Sequence, residues 1–181
     1  MNPIIKKIGL RFGLILALYY ISFNICVFVI DPMYFTKPAI GLISWVVFTL
    51  LGILTIFLTK RKLNNQISLR EAFTPFLIMI TIGFIANILT QTVLFNYIDP
   101  SAKIEANQIL LAKVEQTLNS SSLSPEEILD KLDKSRSYDN FGIDTLLFSL
   151  AGSILRASIA GLLISLIFRN KSDFATPVEP K

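Results

Sequence analysis

Apolar residues in this chain fall into four long runs, and most of the charged residues crowd into the links between them. The runs cover about residues 8–30, 38–59, 74–98 and 143–168. Each exceeds the roughly 20 residues that a helix needs to cross a hydrocarbon layer. In lipid the backbone must satisfy its own polar groups, and a helix does this within one segment. The pattern therefore predicts an all-α integral membrane protein with four transmembrane helices. The first run follows Lys6, Lys7 and Arg11, as a signal peptide would. It is too long for such a segment and no small-x-small cleavage pattern follows, so a retained helix is expected.

Composition agrees. The 181 residues are 52% hydrophobic and 17% charged, with mean hydropathy +0.60, where a soluble domain carries about 25% charged residues. Where the charges sit matters more than their total. Lys6 and Lys7 precede the first run. Lys60, Arg61, Lys62 and Arg70 lie between the second and third, and Arg169 and Lys171 follow the fourth. By the positive-inside rule these segments are cytoplasmic. The link 99–142 carries five basic and eight acidic residues, so it is expected outside. Four crossings with both termini in the cytoplasm satisfy every link. One membrane domain, 1–171, is expected, with a disordered cytoplasmic tail at 172–181 that contains Pro177 and Pro180.

Helix signals punctuate the links. Ser68 followed by Glu71, and Ser124 followed by Glu127, are capping boxes. Asp31-Pro32 and Asp99-Pro100 each read as an N-cap with proline at the first helical position. Both follow isoleucine, a weak hint of duplication that capping explains as well. Pro75 falls about two turns inside its helix and should kink the entry to the third run. The outer link is expected to fold as an amphipathic helical hairpin between helices 3 and 4. One arm covers about 101–118, with Ile104, Leu111, Val114 and Leu118 on one face. The other covers about 125–135, with Ile128, Leu129 and Leu132 on one side. Their polar faces mix both signs, which favours packing on the bundle mouth over lying on lipid. Tyr34, Tyr97 and Tyr138 fall at the outer boundaries, as an aromatic belt does.

Arg156 is the residue that stands out chemically. It lies about thirteen residues, roughly 20 Å, from either end of the fourth run. It leans toward the helix N-terminus, over Gly152 and Ser153. Asp144, about 18 Å away along the helix, is out of reach. Asn87 and Gln91 of the third run and Asn24 of the first fall at similar depth. A buried polar layer of Arg156, Asn87, Gln91 and Asn24 is predicted. Three readings of it stand: a hydrogen-bonded cluster that fixes helix register, a mid-membrane site for an anionic group, or an arginine awaiting a partner protein's carboxylate. Ser149, Ser153, Ala157, Gly161 and Ser165 form a strip of small residues at every fourth position, and Gly9, Gly13 and Ala17 do the same in the first run. Such strips let backbones approach closely. Packing within the chain is preferred to a homodimer seam, because four helices must pack somewhere.

The groups that membrane enzymes need are scarce. The chain has no histidine and one cysteine, Cys26, which is expected to serve packing. There is no CxxC pair, zinc constellation or phosphate-binding loop. No enzyme activity, metal or cofactor is expected. The partners expected are the lipid bilayer and either a second copy or another membrane protein, and no nucleic acid.

Several short motifs carry a resemblance. Lys7-Ile8-Gly9-Leu10-Arg11-Phe12-Gly13-Leu14, Leu69-Arg70-Glu71-Ala72-Phe73 and Ile98-Asp99-Pro100 resemble a bacterial membrane family known as domain of unknown function 4199. The resemblance implies a four-helix inner-membrane protein and brings no activity, cofactor or site residues. The expected role is a non-catalytic accessory or scaffold subunit. The alternative is a small transporter or channel subunit with an anion-binding polar layer around Arg156.

Overall fold

A computed structural model describes residues 2–121 and 123–170. Helix α1 covers Pro3–Ile30, and a 3₁₀ helix at Pro32–Thr36 leads into α2, Pro38–Lys62. Helix α3 covers Leu69–Val93 and widens into a π turn at Leu94–Ile98. Helices α4 (Pro100–Asn119) and α5 (Pro125–Arg136) fill the long link, and α6 is Ile143–Phe168. Among the described residues, four helices are long and apolar enough to cross a membrane: α1, α2, α3 with its π turn, and α6. The tail 172–181, expected to be disordered, lies outside the described residues.

Local chemistry sets the boundaries. Both capping boxes close, Ser68 with Glu71 and Ser124 with Glu127. The Asp99 side chain accepts from Ser101 N and Ala102 N and starts α4. Asp31 accepts from Met33 N and starts the 3₁₀ helix. Helix α3 runs on through Pro75. At its far end Asp99 N donates to Leu94 O at 3.0 Å, the wide spacing of a π turn.

Helix α3 is the centre of the bundle and touches α1, α2 and α6. Leu16, Ile56, Phe76, Met79 and Ile80 are fully buried around it. In lipid such packing stabilises through close contact rather than escape from water, and the glycines provide that contact. A Cβ on Gly9 would stand 3.0 Å from Pro75 O, and one on Gly13 would stand 2.8 Å from Ile82 Cδ1. The tightest junction is a wedge. The Phe76 ring sits between Gly52 of α2 and Gly161 of α6, where an added Cβ would fall 2.5 Å and 2.1 Å, respectively, from its carbons. Buried Thr55 and Thr59 donate to Leu51 O and Thr55 O on their own helix, and the Thr55 hydroxyl also lies 3.2 Å from Met79 Sδ of α3.

A second apolar cluster caps one end of the bundle. Phe95 stacks on Phe141 at 4.2 Å between centroids and takes Phe28 and Phe35 edge-on, both at 5.3 Å. Ala102 and Ala106 of α4 are buried on this cluster, with Leu110 beside them. This corrects part of the face expected for α4, of which Leu118 is buried as expected. Ile104 is exposed, as is Val114, because small alanines let the helix come down onto the aromatic rings. On α5, Leu132 is buried and Leu129 exposed. Cys26, expected to be packed, is exposed on α1. At the opposite end Asn170 ties α6 to the α2–α3 turn: Ile67 N donates to its Oδ1 at 2.9 Å, and Asn170 N donates to Ile67 O at 3.0 Å.

Candidate functional site

The amides come together between α1 and α3, which pack along their length. Asn24 shares a buried face of α1 with Gly13, Ala17 and Tyr20. Opposite, a Cβ on Gly83 would meet Leu16 Cδ2 at 2.4 Å, so only glycine permits this approach. At that spacing Asn24 Nδ2 donates to Asn87 Oδ1 at 2.8 Å and to Asn87 O at 3.4 Å. Gln91 Nε2 donates to the same Oδ1 at 3.2 Å. Asn87 Oδ1 thus takes two donors, one from its own helix and one from α1.

Next to the amides lies a cavity of about 420 Å³, within the size range of small-molecule sites. Asn24, Asn87 and Gln91 line one side of it, Ser44 of α2 another, and Ser153 and Arg156 of α6 a third. Much of the remaining wall is aromatic, Phe35, Trp45, Phe48, Phe84 and Phe141, with Ile40, Ile88 and Leu150 beside them.

Arg156 corrects the expected layer. It is not buried with the amides but exposed at the cavity edge. Its Nη2 donates to Ser153 Oγ at 3.3 Å, and Nη1 lies 3.5 Å from the position of a Cβ on Gly152. The lean over Gly152 and Ser153 is as expected from helix geometry. No ion pair to it forms among the described residues. The reason is the way α6 docks. Ala157, Gly161 and Ser165 are buried, Gly161 against the Phe76 wedge. That half of the small-residue strip therefore packs within the chain. Ser149 and Ser153, in the other half, are only half-buried, and the cavity separates the arginine from the amides.

A polar clasp fixes the aromatic cap over the cavity. Asp139 pairs with Lys103 at 3.0 Å and accepts from Asn107 Nδ2 at 2.8 Å and from Phe141 N at 3.1 Å. Burial pushes the Asp139 carboxyl up, but these hydrogen bonds and the Lys103 charge outweigh it and hold the group below its usual range. Asn96 of the π turn donates to Phe141 O at 2.9 Å. No local pattern signals this cap, because its four phenylalanines come from four separate segments. Trp45 and Ser44 are likewise cavity residues that periodicity does not single out. Among the described residues, no three of Asp, Glu and Cys gather as a metal site requires.

These features define a multi-pass α-helical membrane protein with a polar-edged cavity inside its bundle. The family model described as Protein of unknown function (DUF4199) matches residues 11–170, and the chain belongs to that family. No curated protein and no solved structure matches it.

Proposed function

We propose that this is a non-catalytic protein of the bacterial inner membrane that binds an anionic group at mid-membrane, as a small transporter or channel subunit. The observation that carries the reading is the cavity edged by Arg156 and three amides. A guanidinium at mid-depth is costly unless it meets a partner, and the hydrogen bond it makes is to a serine hydroxyl. An anion in the cavity supplies the missing charge, and the amides orient it. The basic residues in the first turns of α1, in the last turn of α2 and after α6 favour cytoplasmic termini. Four spans are few for a complete secondary transporter, so a second copy completes the pathway. The missing histidine and the lack of paired acids at depth support a binding role over a catalytic one.

One observation favours a second reading, an accessory or scaffold subunit. Helix α6 is the least covered span, with 17% of its most apolar stretch buried against 44% for α3. A partner's helix carrying an acidic residue would cover it and pair with Arg156. Native mass spectrometry of protein gently extracted from its own membrane decides between them. The binding reading expects a small anionic adduct that Arg156→Met loses while the protein stays folded. A stoichiometric foreign subunit, lost on the same substitution, selects the accessory reading. A bare chain with neither sinks both.

A further inference from the structure

An anion that binds in the cavity must first reach it, and the walls limit the routes. Along the bundle axis aromatic side chains stand at both ends. At one end stand Phe35 and Phe141, backed by fully buried Phe95 and locked by the Asp139 clasp. At the other, Phe48 and Phe84 meet edge to face at 5.5 Å, and beyond them Phe76 fills the space between Gly52 and Gly161. The side between α2 and α6 is different. Gly41 and Trp45 of α2 are exposed there, as is Arg156 of α6. A Cβ on Gly41 would have no atom within 4 Å. With the four spans set across a membrane, as proposed, this exposed side turns toward lipid.

We infer that the cavity is a lateral port for an amphipathic anion, a molecule with one long apolar chain and a carboxylate or phosphate monoester head. This rests on the anion-binding reading of the same site. A free inorganic anion would have to cross lipid or displace the aromatic cap. A chain-bearing anion already resides in the bilayer. Its chain lies along exposed Trp45 and the aromatic wall, and its head enters between α2 and α6 to meet Arg156. Charge complementarity selects the head, because the guanidinium keeps further donors beyond the one given to Ser153. The amide trio adds neutral polar groups on the opposite wall.

Trp45 is the only tryptophan of the chain and lines the cavity, so it reports occupancy. The protein is placed in phosphatidylcholine nanodiscs and titrated with bromine-bearing stearate, whose bromine quenches tryptophan. Its neutral methyl ester measures quenching from the bulk bilayer, and para-bromobenzoate and inorganic phosphate represent water-soluble anions. A bromine-bearing alkyl phosphate tests the other head. The expected result is saturable quenching by the chain-bearing anions beyond that of the ester. Arg156→Gln should weaken it roughly ten- to a hundredfold, the range for a hydrogen bond to a charged group. Gly41→Leu, which has room to fold, should narrow the port and weaken the chain-bearing anions alone. If para-bromobenzoate or phosphate competes as strongly and Gly41→Leu changes nothing, the port is wrong and the anion site stands. If no anion exceeds the ester and Arg156→Gln is silent, the anion site itself fails.

Discussion

Gly161→Ala is the sharpest test of how this bundle is held together. The added methyl would fall 2.1 Å from Phe76 Cε1 and 2.3 Å from Cδ1. Ordinary carbon contacts lie at about 3.5–4.0 Å, so about 1.5 Å of separation must be found. The ring cannot supply it, because Gly52 stands against its opposite edge, where a Cβ position lies only 2.5 Å from Cε2. Helix α6 must back away instead, and its contacts at Ala157 and Ser165 loosen with it. Overpacking of this kind costs about 1–3 kcal/mol. The measurement is unfolding in mixed micelles, followed by Trp45 fluorescence and circular dichroism. A double-mutant cycle with Phe76→Leu isolates the wedge. Phe76→Leu alone should destabilise by leaving space, while the pair together should be more stable than the sum of the singles by about 1 kcal/mol or more. Strict additivity, or a Gly161→Ala protein as stable as wild type, refutes the wedge. A fully stable monomer that loses a dimer would assign the small-residue strip to a subunit seam instead.

The polar contacts make two more outcomes measurable. Asn87→Leu removes the acceptor shared by Asn24 and Gln91 and should cost about 1–2 kcal/mol in the same unfolding assay, at the upper end of interhelical polar contacts; a change within about 0.3 kcal/mol would mean the trio contributes nothing to register. The Asp139 clasp should respond to acid. Its carboxyl is held below the ordinary value of 3.8 in the folded state, so ionised Asp139 stabilises the cap above that pH, and the contribution fades as pH falls through the lowered folded value. The protection factor of Phe141 N against hydrogen exchange, taken relative to the intrinsic rate at each pH, should therefore fall at low pH in the wild type. Asp139→Asn should show reduced protection already at neutral pH and a flatter pH response of the protection factor, and identical profiles would mean that the carboxylate does not hold the cap.

Chain-local chemistry was enough to set the membrane class and the element list. Runs of more than 20 apolar residues can satisfy their backbones in lipid only as helices. Ser68, Asp99 and Ser124 start helices through contacts with residues two or three positions on, and such contacts are readable in one dimension. Periodicity also brought Asn24, Asn87 and Gln91 to one depth, because rise per residue is constant along a helix. Which faces meet was settled only in three dimensions. Packing in lipid has no hydrophobic gradient between helices, so it is set by shape: Phe76 between two glycines, Ala102 and Ala106 under an aromatic cluster. That shape holds one half of α6 tightly against α3 and leaves the other half beside a cavity. Arg156 consequently stands at the cavity edge and not in a closed layer, a distinction that depth and spacing along a single chain cannot encode.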